Sequence, residues 1–245
     1  MSNSSLVTYR KISPNRTSPR NHKIDTISIH CAVGQFTAKK ILNLSNFVNY
    51  NSKTGSSCNY AIGYDGSIGL GVEEKDRSWC TSNRANDHRA ITIEVASDTT
   101  HPYKVTDKAY EALIDLLVDI CKRNEIKELK WNADKSLIGK VSKQNMTVHR
   151  WFANKDCPGE YLYTRHGKIA KEVNSRLNPS YKVRVYISDL NIRKGPGTNY
   201  AKTGKVTGTG IFTINETANG PGSKSGWGKL KSGVGWISLD YTTKI

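Results

Sequence analysis

The amino-acid sequence has no run of about 18 apolar residues, which is the length that a membrane-spanning helix needs, so we expect no membrane span. Its first 23 residues are polar and basic and contain no apolar segment, which argues against a secretory signal peptide. We therefore expect the chain to be made in the cytoplasm and to need help from another protein if it acts outside.

Cysteine pairs are also missing. The five cysteines are an odd number at irregular spacings, and no two of them form a Cys-x-x-Cys motif. In a chain without a signal peptide, this usage predicts reduced thiols. Cys121 lies on the apolar face of a predicted helix, where it is expected to serve as a small packing residue. Cys157 precedes another predicted helix and needs a separate explanation.

Acidic residues are scarce: 21 Asp and Glu stand against 37 Lys and Arg, which gives a formal net charge of +16. Such a charge suits a polyanionic partner, and the candidates are nucleic acid, an anionic membrane surface and a polyanionic cell wall. No recognition-helix, zinc-finger or RNA-binding signature accompanies the charge, so we do not expect nucleic acid to be the partner. Hydrophobic residues make up 36% of the chain, enough to build a core.

Strand and helix patterns alternate up to residue 177. β-Branched runs predict strands, a helical apolar period predicts helices, and an Asp-Gly pair between two apolar runs predicts a hairpin. The predicted strands are 26–33, 90–97 and 145–150, the hairpin is 59–72, and the helices are 37–51, 106–124 and 158–177. Strands interleaved with long helices predict an α/β layer structure with a central sheet.

The composition changes near residue 178. Residues 178–182 ("NPSYK") are predicted to be a linker, because the proline breaks the preceding helix. Residues 183–245 contain short strand patterns separated by Gly-rich turns and no helical period, which predicts a small all-β barrel. We therefore expect two domains, 1–177 and 183–245, joined by 178–182.

The segment "MTVHRWFANKDCPGE" (146–160) contains a histidine and a cysteine eight positions apart. His149 at a predicted strand end and Cys157 before a helix can share one metal, and His30, at the end of the strand "TISIH", is the natural third ligand. Imidazole nitrogen and thiolate are zinc ligands. The alternatives are that each histidine is a hydrogen-bonded surface residue and that the cysteine is simply buried.

Four motifs in order carry a family resemblance: "TISIHCAVG", "NYAIGYDGSI", "AITIEV" and "TVHRWFANKDCPG". Over about residues 20 to 175 the chain resembles the zinc-dependent N-acetylmuramoyl-L-alanine amidases of type 2, which share their fold with peptidoglycan recognition proteins. The resemblance implies a mixed central β-sheet flanked by helices. It also implies hydrolysis of the amide bond between N-acetylmuramic acid and L-alanine in peptidoglycan.

By position, the resemblance implies that His30, His149 and Cys157 are zinc ligands, that Lys155 is a catalytic lysine and that Glu94 is the catalytic acid/base. Some relatives carry a catalytic tyrosine where this chain has Cys58, so no catalytic tyrosine is assigned. Several nearby residues are candidates either for the cleft wall or for ordinary structural roles: Tyr60, Trp79, Asn86, His88, Trp151 and Phe152.

The C-terminal region resembles the bacterial SH3 (SH3b) domains, through "LNIRKGPGTNY" and "GWGKLKSGVGWISLDY". Such domains attach lytic enzymes to cell walls, and the basic character here suits a wall that carries polyanions, although salt screens that attraction. Arg193 and Tyr200 are expected to contribute either to this binding or only to the turn.

Together these features predict a monomeric, two-domain peptidoglycan hydrolase that resembles a phage endolysin, made in the host cytoplasm and acting at the bacterial cell wall after release. One alternative is a bacterial autolysin or prophage remnant with the same chemistry. Another is a peptidoglycan-binding protein without catalysis, and a third is a basic nucleic-acid binder. The presence of all five site residues favours an enzyme.

Overall fold

The computed structural model describes residues 2–245. The chain divides into two compact units, Met1–Leu177 and Asn178–Ile245. The first unit combines helices with strands, and the second consists of strands and one 3₁₀ turn. Among the described residues, no helix is both long enough and apolar enough to cross a membrane.

The first unit is built on a six-stranded sheet. Its strands are β1 (Tyr9–Arg10), β3 (Thr26–Cys31), β4 (Tyr60–Ile62), β5 (Ile68–Leu70), β7 (Ala90–Val95) and β8 (Met146–Thr147), while β2 (Arg16–Thr17) and β6 (Arg77–Ser78) form a separate pair. The order across the sheet is β1-β5-β4-β7-β3-β8. β3 runs parallel to both β7 and β8, β4 runs parallel to β7, and β4 pairs antiparallel with β5. The sheet is therefore mixed, as predicted.

Helices cover the sheet. They are α1 (Ala38–Leu42), α2 (Ser45–Val48), α3 (Arg84–Arg89), α4 (Asp107–Arg123) and α5 (Gly159–Leu177). All six residues of β3 are buried, which is typical of a strand whose two faces are both covered. Thr106 starts α4 as its N-cap, because its hydroxyl accepts a hydrogen bond from the Ala109 amide at 3.1 Å. The apolar face predicted for this helix is buried.

The predicted helix 37–51 is wrong as a single element, because α1 and α2 are separate. Asn43 closes α1, with its side-chain amide donating to the Lys39 carbonyl, and Leu44 is extended. Asn competes for backbone hydrogen bonds and therefore favours helix ends. The predicted strand 145–150 is also too long, since β8 covers Met146–Thr147 and a 3₁₀ turn begins at His149.

The second unit is a single seven-stranded sheet. Its strands are β9 (Tyr181–Val185), β10 (Asn191–Arg193), β11 (Lys202–Val206), β12 (Gly210–Ala218), β13 (Trp227–Leu230), β14 (Trp236–Ser238) and β15 (Thr242–Lys244). All registered strand pairs are antiparallel, in the order β11-β10-β14-β13-β12-β9-β15. Aliphatic side chains from most of these strands fill a small core of their own. The unit is all-β, as predicted.

Candidate metal and catalytic centre

Three neighbouring parallel strands bring the central residues together. Glu94 and His30 are the fifth residues of β7 and β3 and are register partners, and His149 begins the turn that follows β8. Because the strands are parallel, their carboxyl ends meet at one edge of the sheet, where α/β folds commonly bind ligands. Cys157, on the loop before α5, approaches the same edge, with its Sγ 3.3 Å from His30 Nδ1.

The side chains of His30, His149 and Cys157 form a compact donor set. One potential ligand atom from each lies within 4.8 Å of the other two, and the imidazole ring centroids of the histidines are 5.2 Å apart. Serine hydroxyls orient both rings. Ser28 Oγ donates to the Thr147 carbonyl and lies 3.3 Å from His30 Nε2, so it accepts the Nε2 proton and leaves Nδ1 free.

His149 is held in a similar way, because its Nε2 lies 3.0 Å from Ser82 Oγ. Burial lowers the pKa of His149, and the positive charge of Lys155 lowers it further. Burial also lowers the pKa of His30 to about 3, with contributions from His149 and His166. Both rings are therefore neutral near pH 7, which is the protonation state that a metal ligand needs.

The pKa of Cys157 is shifted upwards rather than downwards, which for a thiol also favours the neutral form. Burial raises the pKa of its thiol well above the usual value, and nearby Cys31 and Glu94 raise it further. In these surroundings a thiolate requires a cation beside it, and a bound metal ion supplies that charge and deprotonates a coordinating thiol.

Glu94 lies beside this donor set. Its Oε1 is 3.9 Å from His30 Nδ1 and accepts a hydrogen bond from Cys80 Sγ at 3.7 Å. Its Oε2 is buried and has no hydrogen-bond partner among the described residues. Burial raises the pKa of the carboxyl to about 8, and Cys31 adds to the shift. The side chain keeps 15% of its surface exposed, so it still meets the adjoining groove.

His30, Cys80 and Glu94 form a second, overlapping group of potential ligands. Burial raises the pKa of Cys80 well above its usual value, with Glu94 adding to the shift, so Cys80 is a protonated donor to the Glu94 carboxyl group. This arrangement favours Glu94 as a proton-transfer group and Cys80 as its hydrogen-bonding partner. No local motif in the sequence marks Cys80, Ser28 or Ser82, and the contacts of these residues with the site arise only in the folded chain.

A groove of about 760 Å³ opens onto the centre. Glu94, His149 and the exposed Lys155 line its inner part. Further along, three cationic residues and an aromatic residue line its wall: Lys53, Arg77, Arg84 and Trp79. Arg77 Nε and Trp79 Nε1 both donate to Thr17 Oγ1 at 3.1 Å, which fixes the two side chains relative to each other.

The remaining wall candidates have structural roles. Tyr60 is fully buried, and its hydroxyl donates to Glu74 at 2.6 Å. His88 Nδ1 accepts from the Asn21 amide, and Asn86 accepts from Thr147 Oγ1. Trp151 stacks on Trp131 with ring centroids 5.0 Å apart. Cys58 is fully buried and Phe152 half-buried, and neither they nor these structural residues line the groove.

Comparisons with known proteins identify the family of the first unit. The family model described as N-acetylmuramoyl-L-alanine amidase matches residues 20–160. No curated protein matches the chain.

Among solved structures, the chain is similar to three proteins of low sequence identity. PlyL is 16% identical, with 68% of this chain and 96% of that one covered and a TM-score of 0.45. The amidase LysCS from Clostridium intestinale URNW is 18% identical, with 71% and 99% covered and a TM-score of 0.43. The Drosophila peptidoglycan recognition protein SD is 18% identical, with 63% and 85% covered and a TM-score of 0.46.

Proposed function

Because the chain belongs to the N-acetylmuramoyl-L-alanine amidase family, we propose that it is a zinc-dependent hydrolase of bacterial peptidoglycan. The bond cleaved is the amide between the lactyl group of N-acetylmuramic acid and L-alanine of the stem peptide. The convergence of His30, His149 and Cys157 beside Glu94, at the mouth of a groove, is the observation that carries this proposal.

The residues present fit zinc. Two imidazole nitrogens and one thiolate are donors that zinc accepts, and three protein ligands leave a fourth position open, as in catalytic zinc sites. The buried, unpartnered Glu94 Oε2 is a further sign that something polar belongs here. When bound, zinc supplies Lewis acidity and lowers the pKa of a water from about 15.7 towards about 7.

Glu94 is placed to move the proton of the reaction. Burial holds the pKa of this carboxyl at about 8, and a cation bound to the neighbouring donor set would favour its charged form. The carboxylate would then accept a proton from the attacking water and return it to the amide nitrogen as the C–N bond breaks, so that the products are a carboxylate and a free amine. General acid/base catalysis of this kind typically contributes about 10²–10⁴-fold. Lys155, at the groove rim near His149, is the cation available to stabilise the negative oxygen that develops on the carbonyl carbon.

The outer groove suits the peptide part of the substrate. Stem peptides carry free carboxylates, and guanidinium groups bind carboxylates through charge-assisted hydrogen bonds. Arg77 is anchored through Thr17; burial lowers its pKa, the charge of Asp87 raises it, and that of Arg84 lowers it. Asp87 also lines the groove but accepts a hydrogen bond from Thr81, so the guanidinium groups of Arg77 and Arg84 are the groups in this wall that suit an anionic peptide.

For the second unit, we propose attachment to the cell wall as an SH3b-type domain, with 1–177 as the catalytic domain. The resemblance of "LNIRKGPGTNY" to those domains supports this. The expected linker 178–182 is too long, because Tyr181 and Lys182 already pair in the sheet as the start of β9, which leaves 178–180 as the linker. Arg193 Nη1 donates to the Tyr200 carbonyl at 2.8 Å, which is a turn-stabilising role, while the Tyr200 side chain is exposed. A phage endolysin that reaches the wall after release is the proposed biological context, with a bacterial autolysin as the alternative.

Metal content and wall hydrolysis together test this proposal. We expect about one zinc per purified chain, and release of L-alanine amino groups from purified cell walls that a chelator abolishes and added zinc restores. Zinc without release from walls of several types would favour the alternative of a peptidoglycan-binding protein without catalysis. If the purified chain contains no zinc and releases no amino groups from walls, the assignment of the centre is wrong.

A further inference from the structure

The contact between Ser82 and His149 depends on a loop in a strained conformation. Ser82 has φ 60°, in the left-handed region that residues other than glycine seldom adopt, and its Oγ lies 3.0 Å from His149 Nε2. Ser82 is exposed, so burial in the core does not hold it in this conformation. Another part of the fold must therefore keep its hydroxyl beside the candidate metal ligand.

The side chain of Asp87 supplies that support. Its Oδ2 accepts a hydrogen bond from the Cys80 amide at 3.0 Å, and its Oδ1 accepts one from the Thr81 hydroxyl at 2.6 Å. The Thr81 amide donates to both oxygens at 3.2 Å. The carboxylate thus binds the two residues directly before Ser82 and fixes the backbone that carries it.

Asp87 is buried although its side chain is a carboxylate near pH 7. It is 2% exposed, and burial raises the pKa of its carboxyl to about 6, while the hydrogen bonds from Thr81 and Cys80 oppose the shift. Burying a charged group costs free energy unless hydrogen bonds or an opposite charge offset it. The donors that offset it here belong to the loop, so the charge of Asp87 is linked to the conformation of residues 80–82.

The neighbouring residue, Asn86, holds the other side of the same contact. Its Oδ1 accepts a hydrogen bond from Thr147 Oγ1 at 3.0 Å. Thr147 ends β8, two residues before His149. Consecutive residues of α3 therefore anchor both partners of the contact, with Asp87 on the loop side and Asn86 on the strand side.

The contact matters to a metal through the tautomer of His149. A metal-binding imidazole commonly donates its other ring N–H to a nearby acceptor, which fixes both the tautomer and the orientation of the ring. When Ser82 Oγ accepts the Nε2 proton, Nδ1 of His149 is free to bind. Ser28 has the same relation to His30 but lies in a buried strand, whereas Ser82 needs the support of its loop.

We propose that Asp87 is a positioning residue of the zinc centre, acting through the loop 80–82 to hold the Ser82 hydroxyl against His149. This inference rests on the proposed zinc-dependent function. Loss of such an outer partner of a metal ligand typically weakens metal binding by about 10–100-fold. Removing either the Asp87 carboxylate or the Ser82 hydroxyl should therefore weaken zinc binding without removing a ligand, and the two losses should have one cause.

The zinc dissociation constant of the full chain tests the inference, measured by competition with a chromophoric chelator. Ser82→Gly removes the hydroxyl and suits the positive φ, so it should weaken zinc binding by about 10–100-fold without lowering the unfolding temperature. Asp87→Asn should weaken binding by a similar factor, because an amide has a single oxygen to accept bonds from the loop. Thr81→Val removes the 2.6 Å bond alone and should act in the same direction, which keeps the test valid if Asp87→Asn does not fold.

The double variant distinguishes positioning from general destabilisation. If Asp87 acts on the metal through Ser82, Asp87→Asn should weaken zinc binding by at most about twofold more in a chain that already carries Ser82→Gly. Independent effects would instead multiply, to about 10²–10⁴-fold. Multiplied losses would overturn the inference, as would unchanged zinc binding in Ser82→Gly or in the folded variants of the support, Asp87→Asn and Thr81→Val.

Two controls match these variants. Ala133→Gly changes another exposed residue of positive φ, outside the groove, and Asp76→Asn changes another buried aspartate, which is paired with Arg16. Both should keep the parent zinc affinity, even where Asp76→Asn lowers the unfolding temperature. The visible absorption of the cobalt(II)-loaded chain, which depends on the geometry around the metal, should change in Ser82→Gly and not in the controls. A parent chain that binds no zinc would instead refute the proposed centre itself.

Discussion

His30 and Glu94 are register partners on the adjacent parallel strands β3 and β7, with 3.9 Å between His30 Nδ1 and Glu94 Oε1. A ladder of backbone hydrogen bonds therefore sets the spacing between a proposed metal ligand and a proposed proton carrier. Sites built on strands hold such distances more precisely than sites on loops. Replacing either side chain leaves the strand backbone in place. Loss of the metal in a His30 variant and loss of proton transfer in a Glu94 variant should therefore be separable.

The first prediction concerns the metal. We expect His30→Ala, His149→Ala and Cys157→Ala each to lose bound zinc and amidase activity, because two protein ligands hold zinc much less firmly than three. Cys157→Asp should retain part of the zinc, since a carboxylate is also a zinc ligand. Zinc per chain is measured by elemental analysis, beside release of amino groups from walls.

Cys121→Ala is the control for these ligand variants. Cys121 is fully buried in the core cluster of the first unit and belongs to neither group of potential ligands, so this variant should keep its zinc even if its stability falls. Retention of a full zinc equivalent with normal hydrolysis in any one of the three alanine variants would remove that residue from the ligand set.

The second prediction concerns proton transfer. Glu94→Gln keeps the size of the side chain but removes its basicity, so we expect unchanged zinc content and a fall in kcat of about 10²–10⁴-fold. Glu111→Gln, at an exposed carboxylate paired with Arg176 on the helical surface, is the control and should behave like the parent chain. Normal turnover by Glu94→Gln would assign the proton-transfer role to another group.

The third prediction concerns the cationic groove. Arg77→Gln should reduce kcat/KM for a stem peptide with free carboxylates by at least about tenfold, because hydrogen bonds to charged groups contribute about 1.5–3 kcal/mol. The loss should be smaller when the peptide carboxylates are amidated, and Arg176→Gln, outside the groove, should change neither value. Equal losses on the two peptides would mean that Arg77 supports the wall through Thr17 rather than binding the substrate.

Much of the fold could be predicted from the sequence, and the elements that could not be predicted have identifiable physical causes. Helix α4 was predictable because its apolar period and its Thr106 cap are local signals. The break between α1 and α2 was not, because Asn43 is compatible with a helix until tertiary packing selects its capping conformation. Tyr60 was a candidate for the cleft, but its position on the sheet turns it into the core, where its hydroxyl donates a hydrogen bond to Glu74.

The residues of the candidate site also divide into those that a sequence motif marks and those that it does not. His30, His149 and Cys157 follow from motif order, whereas Ser28, Ser82 and Cys80 contact them or Glu94 only after distant segments have folded together. Residues that act through close tertiary contacts leave no local pattern in a sequence.

The fourth prediction separates the two units. A chain without residues 180–245 should bind intact cell walls more weakly but hydrolyse a soluble muropeptide at close to the parent rate, since every residue of the candidate centre lies in Met1–Leu177. Wall pull-down and muropeptide hydrolysis are measured on the same preparation. The reverse pattern, with binding retained and hydrolysis lost, would exclude a targeting role for the second unit.

The fifth prediction concerns acid stability of the second unit. The Asp240 carboxylate accepts hydrogen bonds from the Lys224 and Ser225 amides at 2.9 and 2.6 Å, and these bonds lower its pKa to about 2. A carboxyl whose pKa is lower in the folded state stabilises that state above the unfolded pKa of about 3.9 and loses the contribution as pH falls towards 2. We therefore expect the second unit to lose stability between about pH 4 and pH 2.

Asp240→Asn should remove most of this pH dependence, because an uncharged amide cannot titrate and has a single oxygen to accept both bonds. The direct measurement is an NMR titration of the Lys224 and Ser225 amide resonances, which should shift together with a midpoint near pH 2 in the parent chain and not in the variant. A midpoint near 4 would show that these two hydrogen bonds do not stabilise the charged carboxylate, and the turn before β13 would then be held by its remaining contacts, among them the bond from Ser223 Oγ to the Gly226 carbonyl.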